Sequence, residues 1–390
     1  MTSSLDYLNF DSFFDSEVNE FRKNLRNQLQ EKVFDEMPDL VERAEYPDKF
    51  VPLLQELGLG TIYLSKPYGE GKNIRKLIAA ILELSRCDAS LATMYLVQAI
   101  LLMNTIDDFA SEEQKAILLP KLASFELIGG WGLTETNIGS DASNMETRCR
   151  QLDNGDWVIN GNKRWIGNAN KDIMVVFAKD EKTGNVQGFI VDLKSSPDNI
   201  KRSMIKRKMA LRSVHNMVIE FNGLVVSQKW KMPKVVNFQS VAKMLAHSRL
   251  FVSWVACGIG LGVYDYAIKY LDQRQQFNKK LTNYQLIQEK LVRIMGNVQA
   301  CLHLSAKLTE LKEQKKDSIG KLALGKAWVT LKIREAAALG REMLGGNGIV
   351  LDNYLMKAFV DMEAIYTYEG TYDINSLVAG RELTGFAAFK

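Results

Sequence analysis

The sequence predicts an α+β chain of several domains, in which helical regions lie on either side of a central region of strands. Helical spacing of apolar residues extends from about residue 13 to 127 and returns from about residue 238 almost to the end. Between these regions, short β-branched segments alternate with turn residues. At roughly 150 residues per domain, 390 residues fit two or three domains. The predicted domains are 1–127, 128–236 and 237–390.

The composition indicates a folded chain and excludes several classes of function. Apolar residues make up 46% of the chain, which allows a large core and excludes wholesale disorder. Fifty basic and 46 acidic side chains give a net charge of +4, too balanced for a protein that binds nucleic acid by neutralising phosphates. Four widely separated cysteines and three histidines show no metal-binding spacing, so we expect no disulfide and no metal site.

The two ends of the sequence bear on location. The amino terminus has no apolar segment of the secretory kind and carries acidic residues before its first basic residue, unlike a transit peptide. No run reaches the roughly 18 uninterrupted apolar residues of a membrane-spanning helix. The final residues, FAAFK, differ from a peroxisomal S-K-L signal. We therefore expect a cytoplasmic protein without membrane insertion.

Capping residues and periodicity predict helices in the first region. Asp15 is placed to cap a helix with apolar residues every three to four positions. The same period predicts helices over Ile74–Leu84 and Met94–Phe109. Ser111, followed by Gln114, forms a capping-box pattern that opens a further helix.

Turn residues divide the central region into strands. A turn is predicted at Asp153–Asp156, and Asn160-Gly161 between the segments DWVI and KRWI predicts a hairpin. Further strands are predicted over Met174–Ala178 and Gly188–Val191.

Long helices are predicted in the last region, over 242–276, 283–313 and 318–344. The glycine run Gly258–Gly262 is similar to part of a dinucleotide-binding fingerprint. That fingerprint needs a preceding strand and an acidic residue about 20 positions later. Because these glycines lie within a helical pattern, they predict close helix packing instead of phosphate binding.

Two segments carry the chemistry. Hydroxyls and glycines are concentrated in Trp131–Asp141, where their backbone N–H groups can face an anionic or polar ring system. In Arg164–Asn168, an aromatic residue precedes glycine at a predicted strand end, an arrangement that can flank a flat cofactor. From the residues alone, an unliganded polar loop is the favoured interpretation of the first segment, and an ordinary core aromatic that of the second.

With three later motifs, these segments make the chain resemble the acyl-CoA dehydrogenase family. The later motifs are Arg274-x-x-Phe277 followed by Gln285, then REMLGGNG over Arg341–Gly348, then YEGTYDI over Tyr368–Ile374. They occur in family order over nearly the whole chain. Within the family, the sequence is most similar to the glutaryl-CoA dehydrogenase branch and to short-chain acyl-CoA oxidases of the plant peroxisomal type.

The resemblance implies an FAD enzyme that dehydrogenates an acyl-CoA thioester to the trans-2-enoyl-CoA. It implies a central β-barrel-like domain, a C-terminal four-helix bundle, FAD at their junction, and a homotetramer. Electrons would pass to an electron-transfer flavoprotein. An acyl-CoA oxidase that uses oxygen is the first alternative, and a non-catalytic acyl-CoA-binding scaffold is the second.

The resemblance also assigns residues to the cofactor and the substrate. The contacts to FAD expected in the first two motifs are Trp131, Leu133, Thr134, Gly139, Ser140, Trp165, Ile166 and Gly167. The contacts expected around the rest of FAD, partly across a subunit boundary, are Arg274, Gln276, Phe277, Gln285, Glu342, Gly345, Gly346, Thr371 and Asp373. The contacts expected to the substrate are Ser140, Ser248, Arg249 and Gly370.

The matching position for the family's catalytic base is Glu369. A thioester α-carbon is a weak acid, so its deprotonation needs a desolvated base, hydrogen bonds to the enolate oxygen and a hydride acceptor on the opposite face. By resemblance, the Glu369 backbone N–H and the flavin ribityl hydroxyl bind that oxygen, and flavin N5 takes the β-hydride. Tyr366 and Tyr368 predict apolar surroundings that raise the proton affinity of a carboxylate. Ser248, where some relatives place the base, carries no carboxylate.

Two departures from the family pattern affect specificity. Many dehydrogenases have threonine at the position of Gly167, where its hydroxyl bonds flavin N5, whereas the similar oxidases have glycine. Glutaryl-specific members have an arginine at the position of Ala92. Without it, the ω-carboxylate of glutaryl-CoA would be buried without a countercharge, which is unfavourable. A short- to medium-chain apolar acyl group is therefore expected.

Overall fold

A computed structural model describes residues 5–387, whose first region is helical as predicted. A π-helical segment, Val97–Met103, interrupts the region where the sequence predicted one continuous helix over Met94–Phe109. The helices are α1 (Ser16–Lys32), α2 (Met37–Arg43), α3 (Val51–Glu56), α4 (Ile74–Cys87), α5 (Ala89–Leu96), α6 (Asn104–Phe109) and α7 (Glu112–Ala123). The first four and last three residues, including part of the FAAFK ending, lie outside the described residues.

The predicted helix caps are confirmed. The Asp15 carboxylate accepts a hydrogen bond from Val18 N at 2.8 Å and begins α1. Ser111 and Gln114 form both hydrogen bonds of a capping box at the start of α7. Each cap satisfies backbone N–H groups that have no partner within the helix.

Seven strands within the described residues form one sheet across the central region. They are β1 (Gly129–Gly132), β2 (Arg148–Gln151), β3 (Trp157–Gly167), β4 (Ile173–Asp180), β5 (Val186–Asp192), β6 (Ile200–Met204) and β7 (Asn216–Val226). β4 pairs antiparallel with β5 on one edge and parallel with β1 and β2 on the other. The sheet continues from β2 through β3 and β7 to β6, with every pair antiparallel.

The hairpin predicted at Asn160-Gly161 is wrong, because β3 runs straight through this dipeptide. The glycine instead forms a bulge against β7 with φ of +138°. A Cβ at Gly161 would lie 2.7 Å from Thr147 Cα, so glycine is needed for close approach of the neighbouring backbone. The reversal of the chain occurs earlier, between β2 and β3, where Gly155 has φ of +89°.

Helices return in the last region, so the predicted order of a helical, a β and a helical region is confirmed. The elements are α8 (Phe238–Gln273), β8 (Gln275–Gln276), β9 (Lys279–Lys280), α9 (Gln285–Glu313), α10 (Ile319–Met343), α11 (Tyr354–Thr367) and α12 (Tyr372–Thr384). α10 lies at the centre and packs against the other four helices of this region. The exact limits proposed for the three domains stay predictions.

The glycine run in α8 packs helices together, as predicted. A Cβ at Gly258 would lie 2.0 Å from the Ser85 hydroxyl oxygen of α4, and one at Gly262 would lie 2.5 Å from the Arg86 carbonyl oxygen. A Cβ at Gly260 would lie 2.8 Å from Ile333 of α10. Only glycine allows these helices to come so close.

Two stretches of helix are long and apolar enough to cross a membrane, although the sequence led us to expect none. They cover Ala89–Phe109 and Phe238–Gln273, and 94% and 78% of their apolar windows are buried inside the protein. Their apolar surface is therefore already covered by other helices, as in the core of a soluble protein.

A buried ion network joins the three regions. The Lys357 ammonium on α11 pairs with Asp88 at 2.6 Å and also with Asp361. Asp88 caps α5 through Leu91 N, and Asp361 accepts a hydrogen bond from Leu211 N, between β6 and β7, at 2.6 Å. Burial opposes the charge on Lys357, but its two carboxylates outweigh burial and raise the pKa of this lysine.

The Lys357→Met variant should destabilise the protein strongly, because it leaves two buried carboxylates without their cation. The expected loss is about 3–5 kcal/mol, visible as a lower thermal unfolding midpoint. The control is Lys201→Met, which removes the exposed cross-strand pair with Glu220 and should lose about 0–1 kcal/mol. Equal midpoints for the two variants would contradict the structural role of Lys357.

Candidate active site

Glu369 lies on a tight turn between α11 and α12. Its φ of +53° places it in the left-handed region, and Gly370 follows with φ of +87°. A Cβ on Gly370 would lie 2.9 Å from Asn375 Nδ2, so this position requires glycine for both its conformation and its space. Thr371 then caps α12 by accepting a hydrogen bond from Ile374 N. The carboxylate is thus presented by strained backbone at a helix junction.

The Glu369 carboxylate is half-buried and held by α8. The Ser248 hydroxyl donates to Glu369 Oε2 at 2.7 Å, and the buried Arg249 guanidinium interacts with the same carboxylate. Burial raises the pKa of Glu369 above its ordinary value, although the Ser248 hydrogen bond and the charges of Arg249 and Lys326 oppose this shift. A carboxylate with raised proton affinity is suited to accept a proton from a weak carbon acid.

Helix α5 borders this site, where its Thr93 lies beside Tyr368, the residue before Glu369. The Tyr368 phenol is buried beside the Thr93 hydroxyl, and burial raises the pKa of the phenol. Ala92, where a glutaryl-specific arginine was sought, is 1% exposed on the same helix. The buried Arg249 guanidinium is close enough to Glu369 for the two charges to interact.

The segment expected to face a flavin is held in place by a buried ion pair. The Lys163 ammonium of β3 pairs with Glu135 at 2.7 Å and donates to the Leu133 carbonyl at 3.1 Å. The Trp131 indole is buried, donates to the Thr105 hydroxyl and therefore acts as a wall of the core. The backbone of this segment, more than its large side chains, is available to a ligand.

The second flavin segment ends β3 in an unusual conformation. Trp165 has φ of +66° and is 50% exposed, and its carbonyl accepts a hydrogen bond from Asn216 at 3.0 Å. Ile166 is buried in the β core instead. Asn168 is fully buried and bonds both the Tyr46 hydroxyl and the Met94 carbonyl of the first region. These bonds of Asn168 attach the end of β3 to the first region.

The residues present fit a flat, polar cofactor. Thr134 is half-buried, and Gly139 and Ser140 are exposed on the same segment. A Cβ at Gly139 would meet no atom within 4 Å, so the loop is open on that side. These groups and the exposed face of Trp165 leave hydroxyls, backbone N–H groups and an aromatic surface open to solvent, which are the kinds of group that bind a flat, polar ligand.

The residues assigned to the nucleotide part of FAD lie on the surface of their own chain. Phe277 is 88% exposed with φ of +51° on the turn between β8 and β9. The other exposed members are Arg274, Gln276, Gln285, Glu342, Gly345, Gly346 and Asp373. Glu342 pairs with Lys290 at 2.6 Å, within the same helical region. This exposure is compatible with the predicted contact across a subunit boundary, which stays a prediction.

The structure adds residues that sequence reasoning missed. Lys163 and Lys326 are both fully buried, and Asn375 is buried as well. The available signal was a lysine in register with apolar neighbours: Lys326 follows Leu322 by one helical turn, and Lys163 occupies an inward position of β3.

Three family domains match this chain in order. Residues 15–126 match the acyl-CoA dehydrogenase N-terminal domain, residues 130–224 the middle domain and residues 238–384 the C-terminal domain.

Similar proteins match over almost the full length. A probable acyl-CoA dehydrogenase, fadE25, of Mycobacterium leprae is 27% identical and covers 96% of this chain and 97% of its own. The structure of a glutaryl-CoA dehydrogenase from Mycobacterium smegmatis, in complex with FADH2, is 28% identical, covers 100% of both chains and has a TM-score of 0.95. Butyryl-CoA dehydrogenase from Megasphaera elsdenii is 26% identical with a TM-score of 0.89, covering 95% of this chain and 98% of its own. The chain belongs to the acyl-CoA dehydrogenase family of oxidoreductases.

Proposed function

We propose that this chain dehydrogenates acyl-CoA thioesters with Glu369 as the base that removes the α-proton. Acyl-CoA dehydrogenation by a flavoprotein is the activity of its family. One observation supports this assignment above the others: the Glu369 carboxylate is desolvated and accepts a hydrogen bond from the Ser248 hydroxyl at 2.7 Å. Anaerobic titration with a series of acyl-CoAs, followed by admission of air, tests the activity through bleaching and recovery of the flavin absorbance.

The cofactor is FAD, and the open segment described above fits its ring system. Thr134, Gly139, Ser140 and Trp165 are proposed to hold the flavin, and Arg274 to hold its pyrophosphate through a guanidinium fork. When bound, FAD supplies the acceptor for the hydride that leaves the β-carbon.

The residues of the chain prepare the proton transfer. Ser248 orients the carboxylate, and burial keeps water from stabilising its charge, so the proton affinity of Glu369 rises toward that of the substrate. The Glu369 backbone N–H is proposed to donate to the thioester oxygen as negative charge develops there. Arg249 balances the charge of the base while the site is desolvated.

The acyl group is proposed to be apolar and of short to medium length. Ala92 is buried in the helix that borders the site, and it offers no countercharge to an ω-carboxylate. The similarity to glutaryl-CoA dehydrogenases at 28% and 26% identity makes glutaryl-CoA the second candidate substrate. The two candidates differ in whether a charge must be buried.

The Glu369→Gln variant should retain its fold and bound FAD while losing flavin reduction by acyl-CoA. The amide has the shape of the carboxylate but cannot accept the α-proton. The expected loss is at least about 100-fold, measured by anaerobic stopped-flow absorbance. The control is Glu363→Gln, on α11, which changes a surface pair with Arg334 of α10. Near wild-type reduction in the Glu369 variant would sink the assignment of the base.

Glutaryl-CoA should reduce the flavin of the unmodified protein at least about 100-fold more slowly than butyryl-CoA, because its carboxylate has no countercharge. Ala92→Arg should narrow this difference, whereas Ala92→Leu, the uncharged control, should not. The measurement is the flavin reduction rate for each substrate. Rapid reduction of the unmodified protein by glutaryl-CoA would show that another group binds the carboxylate.

An oxidase that transfers electrons to oxygen is the competing function, and Gly167 is the residue that favours it. A Cβ there would meet Val97 at 3.4 Å, Val214 at 3.6 Å and Asn216 at 3.8 Å, all ordinary contacts. Neither strain nor lack of space therefore enforces glycine. We propose a flavoprotein electron carrier as the acceptor in the dehydrogenase case, and a cytoplasmic homotetramer in both.

Gly167→Thr should slow the reoxidation of substrate-reduced protein by oxygen, since the added side chain fills space beside the flavin and introduces a hydroxyl. Gly167→Val is the matched control, because it has nearly the same shape without the hydroxyl. The measurement is stopped-flow mixing of reduced protein with oxygenated buffer, with and without enoyl-CoA product. Equal rates in all three proteins would mean that Gly167 has no part in oxygen access, and the oxidase function would lose its structural argument.

A further inference from the structure

A buried lysine of α10 reaches the loop that carries Glu369. Lys326 is 0% exposed, and its ammonium donates to the Tyr366 carbonyl and to the Gly370 carbonyl, each at 2.7 Å. These two acceptors lie on either side of Glu369 along the chain. One ammonium group therefore bridges the segment that presents the base.

Both acceptors are carbonyls that secondary structure leaves unsatisfied. Tyr366 lies in the last turn of α11, where carbonyl groups have no partner further along the helix. Gly370 belongs to the left-handed turn that follows. A buried ammonium without acceptors is unfavourable, and so is a buried carbonyl without a donor. The contact between Lys326 and these two carbonyls satisfies both.

Asn375 completes the hold on the same turn. Its buried side-chain amide donates to the carbonyls of Glu369 at 3.3 Å, Gly370 at 2.7 Å and Thr371 at 3.1 Å. A non-glycine residue persists in the left-handed region when the surrounding structure over-determines it. Here Lys326 of α10 and Asn375 of α12 both hydrogen-bond the backbone around Glu369 and so hold it in this conformation.

Lys326 also acts on the base through its charge. Burial lowers the pKa of Lys326 to about 7, although Glu369 opposes this shift and Arg249 adds to it. In turn, the charge of Lys326 lowers the pKa of Glu369, together with Ser248 and Arg249 from α8. The same lysine therefore both holds the backbone beside Glu369 and lowers the proton affinity of its carboxylate.

We propose that Lys326 is a positioning residue for catalysis, which holds the Tyr366–Gly370 segment so that the Glu369 carboxylate is presented to the substrate beside Ser248. This inference rests on the proposed role of Glu369 as the base. It assigns to Lys326 no contact with substrate or cofactor. The segment without its ammonium bridge would sample other conformations, and the carboxylate would lie less often within reach of the α-carbon.

The test compares Lys326→Met, which removes donors and charge, with Lys326→Gln and Lys326→Arg in the FAD-loaded protein. Flavin reduction by the best acyl-CoA should slow about 100-fold in Lys326→Met, since misplacement of a catalytic group by about 1 Å has effects of that size. Lys326→Arg, which keeps charge and donors, should recover much of the rate. Lys332→Met, on the same helix beside Glu335 at the surface, is the control and should reduce normally.

The pH profile separates positioning from general destabilisation. Glu369 must be ionised to accept a proton, so the rate of flavin reduction falls as pH drops through its pKa. The charge of Lys326 lowers that pKa, so its loss raises the pKa of Glu369, while Arg249, Ser248 and Tyr368 act on the carboxylate as before. The acidic limb should therefore move to higher pH in Lys326→Met and Lys326→Gln but not in Lys326→Arg.

Hydrogen exchange supplies a measurement that does not depend on turnover. Backbone amides of residues 366–371 should exchange faster in FAD-loaded Lys326→Met than in the wild type or in Lys332→Met. Wild-type rate, pH profile and exchange in Lys326→Met would overturn this inference alone. Normal flavin reduction by Glu369→Gln would instead overturn the proposed function, so the two failures can be distinguished.

Discussion

A buried ammonium group must be surrounded by acceptors, and Lys357 meets this requirement where the three regions of the chain converge. Its two carboxylate partners are themselves engaged, Asp88 with the start of α5 and Asp361 with Leu211 N between β6 and β7. Because α5 carries Ala92 and borders Tyr368, this network helps to hold α5 beside the turn that presents Glu369. One buried cation therefore ties α5, α11 and the segment between β6 and β7 together.

The same constraint recurs at the two functional loops. Lys163 fixes the segment at Leu133 through a carbonyl and through Glu135, and Lys326 fixes the loop at Glu369 through two carbonyls. Burial lowers the pKa of both lysines, to about 8 and about 7. Each loop is irregular, and a lysine can satisfy irregular carbonyls that no neighbouring strand or helix reaches.

The sequence predicted features in which the interacting residues are neighbours along the chain. Prediction failed where a residue interacts with a partner that is distant in sequence. The caps at Asp15 and Ser111 are local, so their residue types predict them. The hairpin at Asn160-Gly161 was wrong because the same dipeptide serves a bulge when Thr147 approaches from another strand. The spacing of Lys326 from Leu322 indicates that it faces the core, but its partners lie 40 and 44 positions away, so no spacing rule indicates which carbonyls it bonds. Glu369 was found through its motif, since a single glutamate has no period that distinguishes it.

The environment of Glu369 balances two opposing requirements. A base for a weak carbon acid needs high proton affinity, which burial provides, yet a buried carboxylate also needs partners to keep the loop folded. Every partner in this site lowers that affinity again: a hydroxyl from Ser248 and charges from Arg249 and Lys326. Burial outweighs them, and the pKa of Glu369 stays raised. Burial also lowers the pKa of Lys326 to about 7, so above that pH a growing fraction of this lysine is neutral and opposes the basicity of the carboxylate less, while its nitrogen still lies between the two loop carbonyls.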